Sequence, residues 1–166
     1  MNKKPFVTKE QIEEIAKTYP TPFHLYDEAG IRASARNVNR AFSWNAGFRE
    51  YYAVKACPNP FILKILREEG CGVDCASVPE LMLARAAGFT GDEIMFSSNE
   101  TLPEEYEEAR RMNAIINLDD ITHIDFLAAH GGLPEKICLR YNPGGDLNIG
   151  MTCMGHPEEA KYGMTR

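Results

Sequence analysis

Five short β-like runs, YYAVK, GVDCA, EIMFS, AIINL and KICLRY, alternate with helix-like runs, and their C-terminal ends fall near Lys55, Ala76, Ser97, Leu118 and Arg140. Subtracting successive positions gives spacings of 21, 21, 21 and 22 residues. So regular a repeat, with one strand and one helix per period, restricts the chain to βα units built around a parallel sheet. Two α/β architectures accept it: an open, doubly wound sheet of five strands, or the first part of an eight-stranded (β/α) barrel. Length alone favours the open sheet, because a complete barrel takes about 250 residues and this chain has 166.

The helices carry their own boundary signals. Asn59 precedes Pro60, a cap followed by proline at the first helical position. Ser77 to Glu80 and Thr101 to Glu104 each fit a capping box, in which hydroxyl and carboxylate satisfy each other's backbone donors. Gly70 and Gly88 are placed to close two helices. Asp27 can cap a helix running to about Phe42, with Ile31, Ala35, Val38 and Phe42 at helical spacing. Ahead of it, Thr21 to Tyr26 reads as a lone strand. The N-terminal MNKKPFVTKEQIEEIAK has no apolar stretch behind its lysines and reads as an amphipathic helix, not a signal peptide.

Charge and cysteine usage narrow the function classes. A net charge of -6 with no Lys/Arg-rich run argues against nucleic acid and anionic membrane as partners, and no stretch approaches transmembrane length. The five cysteines, Cys57, Cys71, Cys75, Cys138 and Cys153, are odd in number, and several lie in apolar patterns. Reduced thiols in a cytoplasm are the simplest reading. There is no CxxC pair and no HxxxH partner, so no metal site is expected.

Three ionisable residues stand at strand C-terminal ends, where α/β folds bind ligands. Lys55 lies between Val54 and Ala56, and period-two alternation puts it on the face of Ala53 and Tyr51. In an apolar setting the ammonium form of a lysine is disfavoured, which frees the amine to condense with a carbonyl. Asp74 and Arg140 repeat the pattern on the second and fifth runs. The plainer readings are a snorkelling lysine, a turn aspartate and an edge-strand arginine. Glu104, Glu105, Glu107 and Glu108 read as solvated helix turns, Asp119 and Asp120 as a helix cap, and the scattered histidines as surface or packing residues. The loop NPGGDLNIG matches no phosphate-binding glycine pattern.

Around these residues a family becomes recognisable. YYAVKACPNPFILKIL resembles the cofactor-lysine segment of the pyridoxal-phosphate-dependent decarboxylases with an alanine-racemase-like barrel, most closely the diaminopimelate decarboxylases. TPFHLYDE, GCGVDCASVPELMLARAAG, LRYNPG and the KYG at Lys161 to Gly163 agree in order and spacing, so the resemblance runs from Thr21 to Gly163. It implies a (β/α)8 barrel carrying pyridoxal 5'-phosphate, a β-rich second domain, and a homodimer with active sites completed across the interface. Lys55 then matches the lysine that bonds covalently to the cofactor, Ala53 a small residue leaving room beside it, and Asp74 and Arg140 charged residues near lysine and ring. The implied reaction is decarboxylation of meso-diaminopimelate to L-lysine in the cytoplasm. Ornithine- or carboxynorspermidine-type decarboxylation, and a non-catalytic pyridoxal-phosphate-binding or regulatory role on the same scaffold, stay open.

The chain ends at Arg166, before the family's ring-stacking histidine, phosphate cradle and substrate-reading residues. The expectation is therefore an N-terminal segment, 1–26, followed by a partial barrel, 27–166. The rest of the barrel and the β domain would belong to a longer parent, leaving this portion inactive alone.

Overall fold

The computed structural model describes residues 4–142 and 163–164. Lys161, Tyr162, Cys153, His156 and most of the NPGGDLNIG loop lie outside the described residues.

Two helices open the chain, α1 (Lys9–Thr18) and α2 (Glu28–Ala41), each started by the side chain before it. Thr8 accepts from the Gln11 amide, and Asp27 Oδ1 accepts from the Gly30 amide at 3.0 Å. Four β-α repeats and a fifth strand follow among the described residues: β1 (Tyr51–Ala53), α3 (Pro60–Glu68), β2 (Gly72–Cys75), α4 (Val78–Ala86), β3 (Ile94–Phe96), α5 (Pro103–Arg111), β4 (Ile115–Leu118), α6 (His123–His130) and β5 (Ile137–Leu139). Asn59 caps α3 as its sequence requires, accepting from the Phe61 amide at 3.0 Å. Gly70 and Gly88 take φ of 83° and 94°, the left-handed geometry that ends a helix.

Both expected capping boxes are altered. Ser77 makes no side-chain cap bond, and Glu80 accepts from the Ala76 amide at 2.8 Å instead. At α5 the cap residue is Leu102, because Pro103 takes the first helical position. The acid three residues on is therefore Glu105, which accepts from the Leu102 amide at 3.0 Å. The strand expected over 21–26 is not formed: among the described residues no segment pairs with it, and without a partner an extended segment has no ladder.

All five strands are parallel in the order β1-β2-β3-β4-β5. That order decides between the two architectures left open by periodicity. A doubly wound sheet reverses direction at a switch point, whereas strands laid down in chain order, each joined by a right-handed crossover, keep their helices on one face. The fold is an arc of a (β/α) barrel, whose sheet is not closed among the described residues.

Alternation along the strands separates two faces. Val73, Cys75, Ile94, Phe96, Ile116 and Leu118 are fully buried against Leu63, Leu81, Phe89, Tyr106 and Leu127 of the helical layer. Each fully buried large apolar side chain contributes about 1.5–3 kcal/mol. A one-residue slip would expose the whole set, so the register is tightly specified. Asp74, Met95 and Asn117 consequently point to the other, concave face. At its N-terminal end the Tyr51 ring lies across Gly72, where an added Cβ would sit 2.7 Å from both the ring and the Glu93 carbonyl. The Tyr51 hydroxyl donates to the Asp92 carbonyl at 2.6 Å.

α2 is fastened to the end of α3 by charge. Arg36 donates twice to the nearly covered Glu69, at 2.6 and 2.7 Å, and Arg32 reaches Glu28, Glu68 and Glu69. Asn39 donates to the Glu69 carbonyl at 2.8 Å. The Arg36 and Arg32 bonds hold the Glu69 carboxyl down from 4.5 to about 2. A depressed carboxyl stabilises fully above its unfolded value and loses that contribution as pH falls through the folded one. Thermal unfolding followed from neutral pH to about 2 is therefore expected to steepen below about 4.5. Glu69→Gln should be less stable at neutral pH and flatten that acid limb; an unchanged limb would show that the network contributes nothing.

Among the described residues no helix is long and apolar enough to cross a membrane.

Candidate functional site

After Ala53 the chain leaves the ladder and tightens into a 3-10 turn, Val54–Ala56. Val54 is fully buried and anchors the turn, so the following side chain is thrown out over the strand ends. Lys55 thus shares a cavity with Ala53, as alternation required, but it is exposed and off the strand. The apolar strand environment expected for it is absent among the described residues, because the turn carries the side chain beyond the sheet.

That cavity, of about 930 Å³, opens at the carboxyl ends of the strands and brings together Ala53, Lys55, Asp74, Ala76, Ser97 and Arg140, with Glu80, Ser98, Asn99, Glu100 and Glu105 completing its lining. Its volume is in the range of small-molecule and cofactor sites, about 300–1,000 Å³. All four residues singled out from the sequence line it. A second cavity, of about 880 Å³, lies between α2, α3 and the segment before α2, and its lining is mostly apolar. Its lining contains no lysine and no residue at the carboxyl end of a strand, so the chemistry belongs to the first.

Asp74 sits on β2 opposite Ala53 of β1. Burial pushes its carboxyl up, against the Ser97 hydroxyl and the positive charges of Arg140 and Lys55. Its Oδ1 has no hydrogen-bond partner among the described residues. A buried carboxylate oxygen left unmatched costs free energy unless something completes it. Polar side chains continue across the concave face, where Asn117 donates to Ser97 Oγ at 3.3 Å.

Arg140 follows β5, and its Nη1 lies 2.8 Å from Asp119 Oδ1. The pairing removes the reading of Arg140 as a surface charge. It also corrects the reading of the two aspartates: Asp120 does form the turn, accepting from the Thr122 amide at 2.8 Å, but Asp119 is buried beside the site. Ser97, Asn117, Asp119 and Glu80 were missed from the sequence. A signal for two of them was present, since Asn117 and Asp119 share the parity that faces the cavity.

Two of the cysteines serve packing. Cys71 and Cys75 are buried in separate apolar clusters, and burial pushes the Cys75 thiol up to about 12.

The residues fit pyridoxal phosphate: a primary amine at the mouth, small Ala53 and Ala76 leaving space, a cavity of adequate volume, and an unmatched buried acceptor on Asp74. Comparison with known proteins agrees. Residues 28–166 match the family model described as pyridoxal-dependent decarboxylase, pyridoxal binding domain. The chain is 42% identical to Protein TabA of Pseudomonas amygdali pv. tabaci over 153 residues, covering 92% of this chain and 35% of that protein. It is 33% identical to the diaminopimelate decarboxylase of Methanothermobacter thermautotrophicus, covering 91% and 36%. The crystal structure of diaminopimelate decarboxylase from Helicobacter pylori complexed with L-lysine superposes with a TM-score of 0.78 at 30% identity, covering 92% of this chain and 39% of that one. The chain thus spans little more than a third of the length of these relatives. With the barrel arc, the strand-end lysine and the match over residues 28–166 in agreement, the chain belongs to the pyridoxal-dependent decarboxylases, as part of their pyridoxal-binding domain.

Proposed function

We propose that this chain is the amino-terminal, cofactor-anchoring part of a longer amino-acid decarboxylase that converts meso-diaminopimelate to L-lysine. The observation that carries the proposal is the convergence of Lys55, Asp74 and Arg140 on one cavity at the strand ends. The remaining barrel, a β domain and a homodimer partner would come from the parent protein, with 1–26 leading into the barrel at 27–166.

Lys55 would hold pyridoxal phosphate through its ε-amine. Its exposed, flexible stem lets the amine give way to a substrate amine and return. Ala53 keeps the space beside it open, while Asp74 and Arg140 add a negative and a positive charge to the same lining. When bound, the cofactor supplies an electron sink for the pair left on the substrate as carbon dioxide departs.

Diaminopimelate decarboxylases among the relatives support the substrate. The higher identity to TabA makes comparison with other amino acids part of the test. Carbon dioxide release by the full-length protein should be fastest, as kcat/KM, with meso-diaminopimelate, and L-lysine should accumulate. Preference for ornithine or carboxynorspermidine would reassign the substrate. Cofactor attachment without release from any of them would make the protein a binder.

A further inference from the structure

Resting on the reading of the strand-end cavity as a pyridoxal-phosphate site, we propose that Ser97 is a positioning residue: held from behind by Asn117, its hydroxyl fixes the Asp74 carboxyl in the cavity it shares with Lys55, and so keeps a negative charge beside the bound cofactor. Three observations converge on it. Ser97 follows β3 on the parity of Met95, which pairs with Asp74 in the β2–β3 ladder. Its amide donates to the Cys75 carbonyl at 2.8 Å, so Ser97 is fastened to the strand that bears Asp74. The second observation is the direction of hydrogen bonding. Asn117 Nδ2 donates to Ser97 Oγ at 3.3 Å. A serine hydroxyl carries one hydrogen, and with its oxygen engaged as an acceptor that hydrogen is left to give.

The third observation is the need on the receiving side. Asp74 Oδ1 is buried without a hydrogen-bond partner among the described residues, and Asp74 and Ser97 line the same cavity. A donor with a hydrogen to spare and a carboxyl short of one thus lie side by side on the concave face. Burial pushes the Asp74 carboxyl up, and the Ser97 hydroxyl pulls it back more than the charges of Arg140 and Lys55 do. The charged groups described around Asp74 are Lys55 from the turn after β1, Glu80 from α4, Glu100 and Glu105 from the start of α5, Asp119 after β4 and Arg140 after β5. Removing a neutral hydroxyl alters none of them, so a change on Ser97→Ala reports the hydroxyl itself.

The test uses the full-length protein and two readouts. In the cofactor-free form the Asp74 carboxyl is titrated by infrared difference against Asp74→Asn; in the holoprotein the acid-side midpoint of the visible absorption of bound pyridoxal phosphate is followed with pH. Losing a hydrogen bond to a charged group should raise both midpoints in Ser97→Ala by about one pH unit. Asn117→Ala should raise them by part of that, and Ser97→Thr, which keeps the hydroxyl, should stay near the wild type. In an Asp74→Asn background Ser97→Ala should leave the absorption midpoint where it was, because Ser97 acts through the carboxyl. An unmoved or lowered midpoint in either measurement on Ser97→Ala would overturn the inference, as would an absorption shift that survives in the Asp74→Asn background. Melting temperatures of all variants separate this from unfolding, and Asn117→Ala keeps the test open where Ser97→Ala does not fold. Borohydride reduction of the wild type is the control. If Lys55 carries no cofactor, the reading of the site fails; if it does and the carboxyl midpoint stays in place in Ser97→Ala, only the role of Ser97 fails.

Discussion

Replacing Lys55 with alanine in the full-length protein is expected to reduce decarboxylation by on the order of a thousandfold or more, the scale on which losing a covalent catalytic group acts, while the fold stays intact. The side chain is exposed and outside the β-ladder, and the turn that carries it is anchored by its neighbour, the fully buried Val54. Surface substitutions of this kind change stability by about 0.5 kcal/mol or less. Lys55→Arg is the sharper comparison. It preserves the positive charge facing Asp74 but offers no amine able to condense with an aldehyde, so it should be as inactive as alanine. Circular dichroism and melting temperature would show wild-type folding for both variants, and a carbon dioxide assay would show their loss of turnover. Near-normal turnover in either one would remove Lys55 from the chemistry.

The second large effect concerns the 166-residue chain produced by itself. β1 pairs only with β2 among the described residues, so its outer row of backbone donors and acceptors is unpaired. At the other edge pairing is brief: Asn142 donates to the Met164 carbonyl at 2.9 Å, and Met164 donates to the Arg140 carbonyl at 2.8 Å. Leu139 and Tyr141 are 52% and 60% exposed there. Open edges beside exposed apolar side chains template further pairing. Among the described residues the concave face has no opposite wall, so Lys55 would contribute a reversible bond with few contacts to retain the cofactor. Light scattering should show concentration-dependent association, titration should show weak pyridoxal phosphate binding, and no carbon dioxide should be released from diaminopimelate. A monodisperse chain that binds one equivalent tightly and turns over would contradict this.

What could be read from the sequence was local. The Asn59-Pro60 start, the Asp27 cap and the turns at Gly70 and Gly88 each depend on a few neighbouring residues, and each is present in the structure. Position at the C-terminal ends of repeating strands placed Asp74 and Arg140 toward one cavity, because the repeat that marks those ends is read from local runs. Strand order is not, and barrel and open sheet share one periodicity. The turn at Val54 was hidden because an apolar run continues through it. Asp119 was hidden because an Asp-Asp pair before a helix has a sufficient local explanation, and its partner lies across the β4–β5 ladder. The segment 21–26 has strand-like residues, but a strand is made by its partner.

The central claim, that Lys55 is the lysine that carries pyridoxal phosphate, is tested most directly by reducing the full-length holoprotein with borohydride and mapping the modified peptide. Hydride addition to the carbon-nitrogen double bond leaves a stable secondary amine, so the attachment point is recorded in the mass of one peptide. A single pyridoxyl group on the peptide containing Lys55 is the predicted result. A group carried instead by Lys64, by Lys136 or by any other lysine, or no group at all in protein reduced with the cofactor present, would contradict it.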